Sequence, residues 1–254
     1  MRIALISDIH GNLVALDAVL ADIKREQVDQ IICLGDVATL GPNPREVLQR
    51  VKDLNCACIL GNHDHYLLDP AILYDYMDAP WFAKSVAWCA EQLHEEDFQF
   101  LRTFQPLLEV PLDSIHKLLC FHGSPKSNTD IILAMTPPTN VDELLGGYRA
   151  SVMVGGHTHM QMMRQHKGTM LINAGSVGMP FEQALFIHAP RYIPWAEYAI
   201  INLKNGVMSA DLRRVPVDLA AVYQAARSNN FPDAEEWIKN WMTLDDFPVT
   251  TKPL

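Results

Sequence analysis

Short unbroken apolar runs alternate with stretches in which apolar residues return every three or four positions. Ile3–Ile6 is the first run. Leu13, Leu16, Val19, Leu20 and Ile23 follow at helical spacing over about three turns, with Asn12 at the position of an N-cap. Gln30–Leu34 is a second run, Pro44 to about Leu54 reads as a helix, and Cys56–Leu60 is a third run. This β-α-β-α-β order predicts parallel strands joined by right-handed crossovers. Residues 80 to 104 read as helical, from Phe82, Val86, Cys89 and Leu93 and then Phe98, Leu101 and Phe104. After Pro106 the runs shorten: Leu107–Leu112, Lys117–Phe121, Ser151–Val154, Met162–Gln165 and Thr169–Ile172 predict strands with close turns. Glu197–Leu203 and Val207–Arg213 flank Asn205-Gly206, the dipeptide that suits a type I′ hairpin turn. Two amphipathic helices are predicted near 217–228 and 233–243, the second placing Trp237 and Trp241 on one face.

With no repeat, linker or low-complexity segment, the pattern predicts one domain over 1–254: α/β, with two sheets faced by helices and the tail helices packed on it. The chain has 254 residues, 49% of them hydrophobic, enough for a full core. Twenty Lys+Arg against thirty Asp+Glu give a formal charge of −10, which argues against a nucleic-acid polymer as partner, because that binding depends on many cationic contacts to phosphate. A small anionic ligand requires a local reversal of sign. The first apolar run breaks at Ser7-Asp8, short of the roughly 7–15 residues of a signal-peptide core. No stretch reaches the ~20 apolar residues of a membrane span. The expectation is a cytoplasmic protein without membrane contact and of open oligomeric state. Cys33, Cys56, Cys58, Cys89 and Cys120 read as small buried hydrophobes in a reducing compartment. Metal binding by Cys56-x-Cys58 and redox use of the cysteines are the alternatives.

The chemistry lies where the apolar runs stop. Ile3–Ile6 leads to Asp8-Ile9-His10, and Gln30–Leu34 to Gly35-Asp36. Cys56–Leu60 leads to Gly61-Asn62-His63-Asp64, Lys117–Phe121 to His122-Gly123, and Ser151–Val154 to Gly155-Gly156-His157-Thr158-His159. A lone histidine or Gly-Asp at such a place is usually a turn residue. Five endings together are not explained that way, because ligands of open α/β sheets bind beyond the carboxyl ends of the strands. If these ends lie side by side, one rim gathers carboxylates, an amide and imidazoles, the donors that hold metals.

The series D-x-H, G-D, G-N-H-D, H-G and G-H-T-H resembles, in order and spacing from residue 1 to about 178, the motif series of calcineurin-like metallophosphoesterases. Asn173–Gly178 resembles the segment that follows G-H-T-H in that family. The stretch "GDVATLGPNP" is similar to a small prokaryotic branch that includes phosphodiesterases. The resemblance implies a four-layer αββα sandwich of two mixed sheets flanked by helices. It implies a pair of divalent transition-metal ions (Mn, Fe, Ni, Co or Zn). Asp8, His10 and His159 then hold one ion, Asn62, His122 and His157 complete the other site, and Asp36 bridges. His63 faces the substrate. The implied reaction is hydrolysis of a small phosphorylated substrate, a phosphodiester ahead of a monoester or phosphoprotein, by attack of metal-bound hydroxide. Two carboxylates against two dications leave a positive site, the reversal that the acidic chain needs.

An imidazole with an ordinary pKa near ~6.5 can give a proton to a leaving alkoxide, which makes His63 the candidate catalytic residue. Asn12 and Asn43 are candidate substrate contacts as well as cap and turn residues. Asp64 reads as the cap of a following helix, with orientation of a neighbouring group as the alternative, and His65, His94, His116, His166 and His188 read as ordinary. Where larger family members carry an acid and an arginine after G-D, this chain has Val37–Pro42, so a carboxylate partner for His63 is not visible there. The loop 124–138 is placed where it can wall the pocket. The alternative from another class is an idle metal-binding scaffold.

Overall fold

The computed structural model describes residues 1–73, 80–183 and 191–247, with only the main chain described at 80–81. His188 lies outside these residues. The first sheet contains β1 (Arg2–Ile6), β2 (Gln30–Cys33), β3 (Ala57–Cys58), β9 (Trp195–Lys204) and β10 (Val207–Pro216). Their order is β10-β9-β1-β2-β3, with β1, β2 and β3 parallel and the β9-β10 hairpin antiparallel. The second sheet contains β4 (Leu108–Pro111), β5 (Lys117–Cys120), β6 (Val152–Gly155), β7 (Met162–His166) and β8 (Thr169–Asn173), ordered β4-β5-β6-β8-β7. There β5, β6 and β8 are parallel and the edges antiparallel. The hairpin turn has φ 53° at Asn205 and 75° at Gly206, as a type I′ turn requires.

Side-chain alternation explains the layers, because successive residues of a strand face opposite sides. Ile3 and Leu5 join Ala199, Ile201, Leu118, Val152, Val154 and Ile172 in a core between the sheets. Ala4, Ile6, Tyr198 and Ile200 turn to the other face and pack under helices α1 (Leu13–Glu26) and α2 (Pro44–Asp53). Strands buried on both faces read as unbroken apolar runs, which is why β1 and β2 are legible. The far side of the second sheet is covered by α6 (Pro138–Leu145), whose Val141 and Leu145 meet Leu119, Phe121 and Met153. The result is the αββα arrangement.

The described helices also include α3 (Asn62–Leu68), α4 (Pro80–Glu91), α5 (Glu95–Leu101), α7 (Leu219–Ser228) and α8 (Ala234–Lys239). The helical stretch expected over 80–104 is interrupted because the His94 N–H donates to Asp97 Oδ2 at 2.8 Å and starts a new helix. α6 was not expected, since its Pro137-Pro138 start reads as loop; Pro138 stands at the helix N-terminus, where its missing N–H costs nothing. Trp237 and Trp241 are buried in the helix-side core.

Candidate metal centre

The carboxyl ends of β1, β2, β3, β5 and β6 meet along one rim, joined by hydrogen bonds between their loops. Asp8 N–H donates to Gly35 O, His10 N–H to Asp36 O, Gly156 N–H to His122 O and Val177 N–H to Ser7 O, all at 2.8–3.0 Å. These bonds hold an unusual backbone. Asp8, His10, Asp36, His157 and His159 all have φ between 46° and 68°, a left-handed conformation that costs an L-residue roughly 1–2 kcal/mol. Such strain persists where the surroundings over-determine it, as at functional sites. The glycines in the motifs have steric work of their own. A Cβ at Gly156 would stand 1.9 Å from Ser7 Oγ and 2.6 Å from Asp8 Oδ2, and one at Gly61 would stand 2.0 Å from Asp36 Oδ1.

Three overlapping groups have donor atoms within 4.8 Å of one another: Asp8, His10 and His159; Asp36, His122 and His157; and His10, Asp36 and His63. His10 Nε2 is 3.0 Å from His159 Nε2, which is 3.2 Å from Asp8 Oδ1. His122 Nε2 is 3.0 Å from Asn62 Oδ1 and 3.2 Å from Asp36 Oδ2. Asp36 belongs to two of the three groups, and its Oδ2 is 3.8 Å from His10 Nε2, which the third group shares. Every residue expected at the metals is therefore at this rim, and nearly all are buried, His157 less completely than the rest.

The hydrogen bonds behind the rings fix what they present. Nδ1 of His10, His122 and His159 faces the carbonyls of Thr39 (3.3 Å), Leu34 (2.7 Å) and Met179 (2.7 Å). A carbonyl only accepts, so Nδ1 carries the proton and Nε2 of the neutral ring offers a lone pair. The Asn62 Nδ2 donates to Tyr66 Oη at 3.3 Å, which turns Oδ1 toward the cluster. Asp8 Oδ1 and Asp36 Oδ2 are buried with no hydrogen-bond partner among the described residues. Acceptors thus converge on acceptors, and only positive charge relieves them. In the bare protein, protons supply it: burial opposes a charged His122, but Asp36 and Asp8 push it up to about 10. Burial alone raises both carboxyls. His159 and His122 override this at Asp8 and hold it at about 2, while His122 and His63 hold Asp36 well below its usual value. The donor set fits divalent metal ions.

His63 is held differently. Its Nδ1 lies 2.7 Å from Thr39 Oγ1, a residue that the sequence analysis passed over, and its ring packs edge-on to Phe82. A hydroxyl thus stands where a carboxylate partner was not found. Burial, with His159 and His122 nearby, outweighs Asp36 and lowers His63 to about 4, below the ordinary value expected for a proton donor. His63 is therefore neutral at neutral pH in the bare protein.

Asp64 does more than cap α3. Its Oδ2 accepts from Gly61 N (3.0 Å) and Asp36 N (2.7 Å), and its Oδ1 from Val37 N (2.9 Å), tying two ligand loops together. Burial and then the charge of Asp36 raise its carboxyl to about 7, even against these three N–H groups. Asn12 is 1% exposed and committed to the fold: Oδ1 caps α1 at Ala15 N (3.1 Å) and Nδ2 donates to Gly178 O (3.0 Å). This is the cap role expected of it. Asn43 precedes α2, and its Oδ1 has no partner among the described residues. Of the other histidines, His166 pairs with Asp142 at 2.9 Å and His116 with Asp113. His65 lines a polar recess of about 300 Å³ beside His122, walled by Ser124, Lys126 and Ser127 from the loop 124–138. All five cysteines are free.

This sandwich, with a ligand cluster at the rim where its parallel strands end, defines a metal-dependent hydrolase. Residues 1–189 match the calcineurin-like phosphoesterase superfamily domain, and the chain belongs to that family of phosphoesterases. It is 31% identical over 242 residues to an uncharacterized protein of Methanocaldococcus jannaschii, covering 93% of this chain and 95% of that one. It is 26% identical over 190 residues to the phosphodiesterase YfcE of Escherichia coli, covering 71% and 81% respectively. Among solved structures it is similar to a metallophosphoesterase from Sphaerobacter thermophilus, with a TM-score of 0.72, 26% identity and coverage of 94% and 98%. No described helix is long and apolar enough to cross a membrane.

Proposed function

We propose that this phosphoesterase works with two divalent transition-metal ions and hydrolyses a small phosphodiester. Asp8, His10 and His159 would hold one ion; Asn62, His122 and His157 would hold the other, with Asp36 shared. The observation that carries the reading is the convergence of acceptor atoms around the orphaned Asp8 Oδ1 and Asp36 Oδ2. A bridging position requires an anion, and Asp36, central to the clusters, supplies one where an imidazole cannot. The mixed nitrogen and oxygen donors suit Mn, Fe, Ni, Co or Zn alike. When bound, such a pair provides Lewis acidity toward the phosphoryl oxygens and acidifies water.

The chain's own groups do the rest. With the Thr39 hydroxyl donating to Nδ1, the neutral His63 ring keeps its proton on Nε2 and offers it as a hydrogen bond to a phosphoryl or leaving oxygen. The unpartnered amide oxygen of Asn43 is left for a substrate hydroxyl. The diester preference is supported by the phosphodiesterase named above, and Val37–Pro42 in place of an acid and an arginine argues against a phosphoprotein. Residues 1–254 are read as one domain, and the free cysteines fit a reducing cytoplasm.

The test compares bis(4-nitrophenyl) phosphate with 4-nitrophenyl phosphate under added Mn²⁺, alongside metal content. The reading predicts faster turnover of the diester and loss of both metals and activity in Asp36→Asn. Full metal loading with no turnover across a broad ester panel would instead support a scaffold.

A further inference from the structure

Three thiols come together in the first sheet, away from the metal centre. Cys33 on β2 stands directly opposite Cys58 on β3 in the parallel register. Cys56, immediately before β3, lies two residues from Cys58 and so on the same side of the chain. All three pack into the helix-side core, and the Cys58 Sγ donates to Cys56 O at 3.6 Å. Access is graded: Cys33 is 0% and Cys58 8% exposed, whereas Cys56 is half-buried. A recess of about 540 Å³ at the carboxyl ends of α1 and α2 opens onto Cys56 and onto neither of the other two. No residue of the metal centre lines it.

The sulfurs differ in character. Contact with the Cys58 thiol lowers the Cys56 pKa against the effect of burial. Cys58 is raised by its contacts with Cys33 and Cys56, and then by burial. A reactive cysteine is a part-exposed thiol with a depressed pKa, and a thiol beside it can resolve its oxidised form. Spacing decides where a disulfide settles. Its Cα atoms stand about 4.4–6.8 Å apart. Opposed residues of neighbouring strands meet this at about 4.8 Å, whereas residues two apart along a strand reach about 6.6 Å, the upper edge. A Cys56–Cys58 bond is therefore strained and open to exchange, and a Cys33–Cys58 bond is not.

We propose that Cys56, Cys58 and Cys33 form a hydroperoxide-reactive relay that ends in a Cys33–Cys58 disulfide. The Cys56 thiolate attacks the O–O bond, keeps one oxygen as a sulfenic acid and releases the other, which leaves as water or an alcohol after taking a proton. The Cys58 sulfur then attacks the sulfenic sulfur, and its proton departs with the hydroxyl as water. Cys33 attacks the Cys58 sulfur, and its proton passes to Cys56, which returns to a thiol. Two electrons move from the thiol pair to the hydroperoxide. β2 runs on to Asp36 and β3 to Asn62, so the bond ties together the strands that carry two of the candidate ligands.

The test treats the reduced, folded chain with hydrogen peroxide, with and without dimedone, then unfolds it, alkylates it and maps the peptides. The expected product joins Cys33 to Cys58, leaves Cys56, Cys89 and Cys120 alkylated, and is reversed by dithiothreitol. Dimedone should label Cys56. Cys56→Ser should slow the disulfide roughly tenfold or more, and Cys33→Ser should stop the relay at a Cys56–Cys58 bond. The dimedone label on the wild type reads the same first step if a variant does not fold. Oxygen adducts without a disulfide, a disulfide that includes Cys89 or Cys120, or formation as fast in Cys56→Ser as in the wild type overturns the proposal.

Discussion

Asp64 offers a quantitative test of how the ligand loops are held. It is fully buried, and its carboxylate accepts from three N–H groups, those of Asp36, Val37 and Gly61. Asp64→Ala strands all three. A buried donor without a partner costs about 1–3 kcal/mol, and water entering the vacated space recovers part of it. The expected loss is about 3–5 kcal/mol, a large share of a domain's ~5–15 kcal/mol. Asp64→Asn is the finer probe. With its oxygen at the place of Oδ2 it keeps Asp36 and Gly61 and turns an NH₂ group on the Val37 N–H, so about 1–3 kcal/mol is expected. Urea unfolding at pH 8, above the carboxyl's value of about 7, measures both, with an unchanged m-value showing that only stability moved. Mn²⁺ calorimetry on the same variants should show weaker binding, because the Asp36 backbone is freed. An alanine variant within about 1 kcal/mol of wild type, with normal metal affinity, would refute the reasoning.

Thr39→Val removes the hydroxyl that orients His63 and should lower kcat roughly 10-fold with KM retained, while Thr39→Ser restores it; an unchanged kcat removes Thr39 from the mechanism. Gly156→Ala drives a methyl group onto Ser7 and Asp8 and should abolish metal binding at the Asp8 side, read by metal content of the purified, folded variant. Glu197, whose Oε2 is buried without a partner among the described residues, is raised from 4.5 to about 7, first by burial and against the pull of Arg214. Below pH 4.5 it is protonated folded and unfolded; between 4.5 and 7 the unfolded chain ionises first, so native stability falls by up to about 3 kcal/mol as pH rises. Glu197→Gln should lack that slope, and parallel stability curves for the two proteins would contradict the assignment.

The layers were legible because strands packed on both faces must be apolar throughout, as in Ile3–Ile6, and because Asn205-Gly206 admits few turns. The rim was legible because polar residues clustered where those runs end. What stayed hidden depends on contacts distant in sequence. Thr39 is an ordinary loop residue until the fold brings it 2.7 Å from His63. Asp64 looked like a cap, since its bonds to Asp36 and Val37 cross 27–28 residues. Asn12 offered a polar group near the rim, and only the structure shows both ends engaged. α6 was masked by its own prolines, and the pairing of Cys33 with Cys58 is a strand register that periodicity cannot express.

The central claim is that buried acceptors around Asp36 exist to hold two cations. Anomalous diffraction from crystals soaked in Mn²⁺ tests it most directly. The account predicts two peaks flanking the Asp36 carboxylate, one touching Asp8, His10 and His159 and the other Asn62, His122 and His157. No peak at Asp36, or manganese only at sites away from these residues, would contradict it.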